Sequence, residues 1–355
     1  MHLDHGRVSE DYRHYISRKT FFIVSLVISL FAALVIALSL GAADIPILSV
    51  AKSLVGLAGS IRTEAIIWNI RLPQAIAAIV AGAGLSIAGA AMQSILRNPL
   101  GSPFTLGISH AAAFGAALSV MVGGGHGALL QGKVFTIMAP VFTAFSAFLF
   151  SLIAAGVIIA VSRVRGATPE SMVLTGVGLG ALFTAGTMFL QFFADDVQLA
   201  AMVFWTFGDT SRASWNEVGI ITVVTVVTSC YFLFNGWNYN AIDAGDETAK
   251  GLGVRVERIR VAGMFLATLL TAVIISFLGI IGFVGLVVPH MVRRMLGSDH
   301  RFLLPGTIVA GALLLLVSDT MARLILAPHV LPVSVLTAFM GAPVLIYLIV
   351  RRKEC

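Results

Sequence analysis

Apolar segments about as long as a lipid bilayer is thick dominate this chain and limit what it can fold into. A helix that spans a bilayer needs about 20 consecutive, mostly apolar residues, and residues 20–40 (TFFIVSLVISLFAALVIALSL) form such a run. Of the 355 residues, 58% are hydrophobic and 11% are charged, whereas soluble domains carry about 25% charged residues. The sequence excludes a soluble domain, a disordered chain and a disulfide scaffold, and it predicts an all-α, polytopic membrane protein.

Ten apolar segments suggest about ten transmembrane helices. The first is longer than the apolar core of a signal peptide, so we expect it to remain as an uncleaved span. Two later segments are short and contain Pro289 and Pro305, and such interrupted segments are typical of helices that line a pathway. The ten segments are residues 20–40, 72–95, 104–122, 134–161, 171–193, 217–234, 261–280, 282–296, 303–320 and 331–350.

The positions of basic residues predict the orientation of the spans. With the N-terminus in the cytoplasm and ten alternating spans, 17 of the 23 Lys and Arg residues lie on the cytoplasmic side, as the positive-inside rule requires. The predicted organisation is a cytoplasmic N-terminal segment (1–19), a ten-helix transmembrane domain (20–350) and a cytoplasmic C-terminus (351–355). Both termini then lie inside a cell membrane.

Two connections are long enough to carry function. The predicted cytoplasmic loop 235–260 consists of two short helical pieces separated by a glycine-containing break, and it mixes acidic with basic residues. Such a surface suits a polar, reversible protein interface, although a solvated connector is the simpler alternative. The predicted outer loop 194–216 contains Trp205 and Trp215, which are expected to anchor at the membrane interface; residues 199–207 could form a short surface helix.

No motif for catalysis, for a cofactor or for a metal is evident. Residues 127–133 (GALLQGK) resemble a phosphate-binding loop, but Val134 follows where such loops need Ser or Thr for magnesium. His290 lies in an apolar context and is expected to be structural, and Cys230 and Cys355 form no redox motif. We therefore expect a non-enzymatic chain that depends on a partner for energy and has no nucleic-acid partner.

An ion-coupled secondary transporter or channel is the competing hypothesis. Such carriers place ionisable groups at the middle of the membrane. The closest candidates here are Asp319 and Arg323, which are four residues apart and can pair on one helix face. Both lie at the predicted outer end of their span, which argues against a buried proton relay.

Two groups of motifs resemble the FecCD-type ABC transporter permeases, the membrane subunits of vitamin B12, iron-siderophore and haem importers. The resemblance covers residues 65–350. The first group contains Arg71-Leu72-Pro73, Arg97-Asn98-Pro99-Leu100 and Leu106-Gly107-Ile108-Ser109. The second group contains Gly251-Leu252-Gly253-Val254, the run GFVGLVVPH from Gly282, the run GSDHR from Gly297, Leu331-Pro332 and Gly341-Ala342-Pro343.

This resemblance implies a type II importer permease of ten helices that works as a dimer, expected to be a homodimer, around a central pathway. An ABC ATPase dimer would bind its cytoplasmic face, and an extracytoplasmic substrate-binding protein would deliver the cargo. The cargo would be an iron-siderophore, haem or cobalamin, with an oxyanion such as molybdate as a weaker possibility. No cofactor is implied for the chain itself.

The resemblance also assigns roles to particular residues. One departure from the family pattern is Gln74, where the family has a second arginine; another is Val330-Leu331-Pro332-Val333-Ser334 in place of Glu-Leu-Pro-x-Gly. The implied sites are an ATPase-coupling loop (Asp243, Asp246, Glu247, Lys250, Gly251, Leu252, Gly253, Arg255, Arg258), a binding-protein docking site (Arg71, Gln74, Arg323) and a cytoplasmic gate (Thr168, Pro169, Glu170).

Overall fold

The computed structural model describes residues 10–41, 44–57, 60–123, 133–164, 168–327 and 329–350. Within these residues all regular structure is helical, so the predicted all-α class is confirmed. Three predicted features lie partly or wholly outside the described residues. They are residues 127–132 of the motif that resembles a phosphate-binding loop, the first nine residues of the N-terminal segment, and the C-terminus 351–355.

The described residues form fifteen α-helices. A π-helical turn (Ile67–Arg71) joins α3 to α4, and a 3-10 turn (Thr210–Arg212) lies between α8 and α9. The helices are α1 (Glu10–Ser39), α2 (Ile47–Leu54), α3 (Ile61–Ile66), α4 (Leu72–Ile95), α5 (Ile108–Gly123), α6 (Lys133–Val164), α7 (Pro169–Phe193), α8 (Asp196–Thr206), α9 (Trp215–Phe234), α10 (Gly236–Asp243), α11 (Asp246–Gly251), α12 (Val256–Leu278), α13 (Val284–Leu296), α14 (His300–Leu324) and α15 (Val333–Val350).

Each of the ten predicted apolar segments coincides with one of these helices. Among the described residues, seven helices are long and apolar enough to cross a membrane: α1, α4 with the turns before it, the part of α6 from Pro140, α7, α9, α12 and α14. The other three, α5, α13 and α15, are shorter. The polytopic architecture is therefore confirmed, whereas the count of ten spans stays a prediction. The predicted surface helix in the outer loop corresponds to α8.

Helix α4 lies at the centre of the bundle and is buried along almost its whole length. It packs against α9, α12, α13 and α14. The reason is its stripe of small residues: a Cβ atom placed on Gly82 would lie 2.2 Å from the carbonyl oxygen of Gly311, and one on Gly89 would lie 1.7 Å from that of Gly285. Helix packing in a membrane depends on such close approach, because lipid gives helices no hydrophobic drive to associate.

We expect Gly89→Ala to destabilise the bundle by about 3 kcal/mol, because the new methyl group forces α4 away from α13 and overpacks the contact. Thermal unfolding in detergent micelles would measure the loss. The matched control is Gly219→Ala in α9, where nothing lies within 4 Å of the added atom; alanine there should leave stability equal or raise it by up to about 1 kcal/mol. Equal melting temperatures for Gly89→Ala and the parent chain would contradict this account of the packing.

Candidate functional site

Residues 235–260 form a compact structure at one end of the bundle, here called the loop end. Helices α10 and α11 are joined at Gly245, and Gly253 turns the chain into α12. Of the nine predicted coupling residues, eight are exposed and Asp246 is partly buried. Leu252 is 70% exposed, which places a large apolar side chain at the tip of a polar surface.

A buried arginine fastens this loop to the bundle. Arg260, in the first turns of α12, is only 2% exposed. Its Nε donates to the carbonyl oxygen of Ile95 at 3.0 Å, and its two terminal nitrogens donate to the carboxylate of Asp246 at 3.0–3.2 Å. Arg97 lies 4.0 Å from the same carboxylate. A planar guanidinium suits this two-pronged geometry, and it links the start of α11 to the end of α4.

A second contact joins the loop to α4 and α14. The ring of buried His300 lies 2.8 Å from the hydroxyl of Ser94 through Nε2 and 2.9 Å from the Asn240 side-chain oxygen through Nδ1. The backbone N–H of His300 donates to the same oxygen, and Asn240 Nδ2 donates to Asp299 at 3.1 Å. We call Ser94, Asn240, Asp246, Arg260 and His300 the loop anchor.

Two carboxylates beside the loop anchor have shifted acidities. Burial raises the pKa of Asp243, against the hydrogen bond that Ser94 donates to it and the charge of Arg293. The pKa of Asp299 is instead lowered to about 2. Burial alone would raise it, but hydrogen bonds from the Arg301 side chain, the Arg301 backbone and Asn240 outweigh that effect. Asp299 is therefore ionised at neutral pH. Its interactions stabilise the folded state fully above about pH 4, and this stabilisation is lost as the pH falls toward about 2.

The outer surface of the loop is polar and exposed. Lys250 donates to Glu247 at 2.8 Å, and both side chains are exposed, so this ion pair is screened by water and contributes little to stability. Arg255 and Arg258 are exposed as well. The exposed residues of the loop are thus available to a partner, while the loop anchor holds their backbone in place.

The three predicted gate residues form the beginning of α7. Thr168 accepts a hydrogen bond from the backbone N–H of Ser171 at 3.3 Å, Pro169 occupies the first turn, and Glu170 places a negative charge at the helix N-terminus. This is a well-capped helix start. Thr168 and Glu170 are exposed, so the described residues leave this end of α7 open on one side.

The predicted docking residues converge at the other end of the bundle, around Asp319 of α14. Gln74 Nε2 donates to Asp319 Oδ1 at 3.1 Å, and Arg323 Nε lies 3.2 Å from Asp319 Oδ2. The hydroxyl of Thr210, in the 3-10 turn, also donates to Asp319. Arg71 is buried nearby, with its guanidinium donating to the carbonyl oxygens of Leu38 and Ser39 at 2.6 and 2.9 Å.

These contacts give the three residues partners inside the chain. Arg71 and Arg323 both reach the last turn of α1, because Arg323 Nη2 lies 3.4 Å from the carbonyl oxygen of Ala37. We call Arg71, Gln74, Thr210, Asp319 and Arg323 the opposite-end network. It ties α1, α4, α14 and the outer loop together, and the pairing of Asp319 with Arg323 expected from their spacing is confirmed.

Sequence reasoning missed most of the loop anchor and Thr210. Asp246 and Arg260 are separated by 14 residues and Ser94 and His300 by 206, so no local spacing relates either pair. One sequence signal could have pointed to these contacts. Arg260 and His300 each lie in the first turns of an apolar helix, where a buried charge without a partner would be costly. The described residues contain no group of three potential metal ligands.

We expect Arg260→Met to release the loop, because it leaves the carboxylate of Asp246 and the carbonyl of Ile95 without their donor. Since Asp246 keeps 29% of its side chain exposed, the cost should lie near the lower end of the range for breaking a buried pair, about 3 kcal/mol. Hydrogen exchange of the backbone amides of residues 246–252 should accelerate. Lys250→Ala, which removes only the exposed pair, should leave exchange unchanged; equal exchange in both variants would contradict the anchoring role.

Comparison with known proteins agrees with this architecture. Residues 28–351 match the model of the FecCD transport family. A protein of Methanocaldococcus jannaschii named as an ABC transporter permease is 50% identical over 344 residues, covering 97% of this chain and 98% of that protein. The hemin transport system permease of Yersinia pestis is 35% identical over 289 residues, covering 81% and 84% of the two chains.

A solved structure shares the fold as well. The inward-facing conformation of a metal-chelate type ABC transporter superposes with a TM-score of 0.80 at 28% identity, and the match covers 93% of this chain and 98% of that one. The family match extends over most of the chain and includes both the loop end and the opposite end. The chain therefore belongs to the FecCD transport family and is a permease, the membrane-spanning subunit of an ABC transporter.

Proposed function

We propose that two copies of this chain enclose the pathway of an ATP-driven importer, with an ATPase dimer at the loop end and a substrate-binding protein at the opposite end. The observation that carries this proposal is the construction of the loop end: an exposed pair of short helices is fixed to α4, α12 and α14 through buried polar contacts. A loop held in this way can pass a partner's movement to the membrane helices. A solvated connector would need no such anchor.

The contact with the ATPase is assigned to the exposed side of the loop. Interfaces gain most of their binding energy from a few apolar or aromatic side chains surrounded by polar groups. Leu252 is exposed at the tip, and Glu247, Lys250, Arg255 and Arg258 surround it in the sequence. Asp243 and Asp246 face the bundle through Ser94 and Arg260, so we assign them to holding the loop rather than to direct contact.

We further propose that the start of α7 forms the cytoplasmic gate. Thr168, Pro169 and Glu170 set where α7 begins, and few residues of α7 are buried in the single chain. An exposed apolar helix in a membrane subunit fits a position beside the pathway and the second copy. A rigid, capped beginning would let α7 tilt as a unit when the loop end moves.

The binding protein is proposed to dock at the opposite end, which would face outward with both termini in the cytoplasm. This orientation agrees with the positive-inside count, and the proposed location is the plasma membrane. Arg71, Gln74 and Arg323 would support docking by fixing the ends of α1, α4 and α14, since their side chains already have partners within the chain.

The proposed cargo is a metal bound to an organic chelator: an iron-siderophore, haem or cobalamin. A hemin permease and a metal-chelate transporter are among the similar proteins, which supports this class without selecting a member. The spans supply few charged groups to recognise one ligand. We therefore expect the binding protein to select the cargo and the permease to conduct what is delivered.

Replacement of Leu252 by Asp should uncouple the permease from its ATPase. Loss of a central apolar contact costs an interface about 2 kcal/mol or more, equivalent to roughly a 30-fold weaker association. In proteoliposomes that contain permease, ATPase and binding protein, ATP-dependent uptake should fall by at least tenfold. Leu252→Met, which keeps an apolar side chain of similar size, is the matched control and should transport normally. Uptake at the parent rate by Leu252→Asp would overturn the assigned contact.

At the opposite end, Arg323→Gln should lower both the melting temperature and the affinity for the binding protein, because it leaves Asp319 without its cation and loosens the docking surface. Isothermal titration and thermal unfolding would follow the two effects together. Arg62→Gln, which alters an exposed arginine of α3, should change neither. A loss of affinity by Arg323→Gln with an unchanged melting temperature would instead indicate that Arg323 contacts the binding protein directly.

A further inference from the structure

A groove of about 700 Å³ lies between α6 and α12 at the loop end. The loop anchor does not line it, and of the proposed ATPase contact only Arg258 does. Its floor is formed by small residues, including Gly156 and Ala160, and its upper wall by Phe265. A Cβ atom added to Gly156 would meet nothing within 4 Å. The small side chains at these positions therefore leave open space between the two helices.

The groove adjoins an exposed apolar face of α6. Along α6, Ile153, Val157 and Val161 are exposed at intervals of four residues, which places them on one face of the helix. Phe265 of α12 is 44% exposed. The groove therefore continues an exposed apolar surface of two membrane-spanning helices.

The groove carries a net positive charge at its polar end. Arg163 near the end of α6 and Arg258 in the first turn of α12 line it together with the single carboxylate of Glu257. Within the described residues, neither arginine takes part in an ion pair or in any other recorded polar contact. These guanidinium groups are consequently free to bind an anion.

We propose that this groove binds an acidic phospholipid of the adjoining leaflet, with its phosphate between Arg163 and Arg258 and an acyl chain against Gly156, Ala160 and Phe265. The combination of an apolar floor and two arginines at the end of a span matches a lipid with a charged headgroup. Basic pockets between membrane helices recognise acidic headgroups in this way. A soluble anion would have no use for the apolar floor.

Lipid bound here would hold the beginning of α12, which also contains Arg260 of the loop anchor. The site is independent of the proposed function, because it needs only that α6 and α12 lie in a membrane. It reassigns Arg258 from the expected coupling surface to the lipid. If an ATPase does bind the loop end, its coupling to transport should then depend on the acidic lipid content of the membrane.

The test is native mass spectrometry of the full-length chain, released from nanodiscs that contain phosphatidylglycerol and phosphatidylcholine in equal amounts. The parent chain should retain phosphatidylglycerol selectively. Each basic side chain near an acidic headgroup contributes about a fivefold increase in binding, so Arg163→Gln with Arg258→Gln should lower retention by roughly 25-fold. Glu257→Gln should raise retention, because it removes the negative charge of the groove.

Two further variants separate a built site from general surface charge. Gly156→Leu keeps both arginines but fills the floor, and it should lose phosphatidylglycerol as the double variant does. Arg255→Gln removes a charge at the same end outside the groove and should retain the lipid. Selectivity that survives in the double variant, or that falls equally in Arg255→Gln, would overturn the proposal. If the Arg163→Gln, Arg258→Gln double variant retained phosphatidylglycerol but lost binding of the ATPase, the groove would belong to a protein partner and the lipid proposal would be wrong.

Discussion

The close approach of α4 to its neighbours is the contact on which the rest of this molecule depends. Gly82 meets Gly311 of α14, and Gly89 meets Gly285 of α13, at distances that no residue with a side chain could allow. Because backbones touch along this helix, its two ends are fixed relative to α13 and α14. Small residues thus replace, inside lipid, the hydrophobic drive that would assemble a core in water.

The loop anchor and the opposite-end network are both built on the ends of that same helix. Gln74, in the first turn of α4, contacts Asp319, and Ser94 and the carbonyl of Ile95, in its last turn, receive His300 and Arg260. Helix α14 likewise contributes His300 at one end and Asp319 at the other. The loop end and the opposite end are therefore joined by two packed helices, α4 and α14.

Much of this organisation is predictable from the sequence, and the remainder has a definite physical reason. Segment positions, the broken loop 235–260 and the Asp319–Arg323 pair follow from local composition and spacing. The contacts of Gln74 with Asp319, 245 residues apart, and of Arg260 with Ile95 do not, because they depend on how each helix is rotated. A helix that is apolar all round carries little sequence signal for that rotation. The sequence also does not distinguish an arginine that binds a partner protein from one that, like Arg71, donates its hydrogen bonds to carbonyl groups of its own chain.

The central claim is that this chain conducts its cargo only when an ATPase drives it from the loop end. The most direct measurement is uptake of a radiolabelled metal chelate into proteoliposomes that hold the permease with or without its ATPase, with the binding protein and ATP supplied on their respective sides. The account predicts uptake that requires all three components and is insensitive to an imposed proton gradient. Uptake by the permease alone, driven by that gradient, would contradict it.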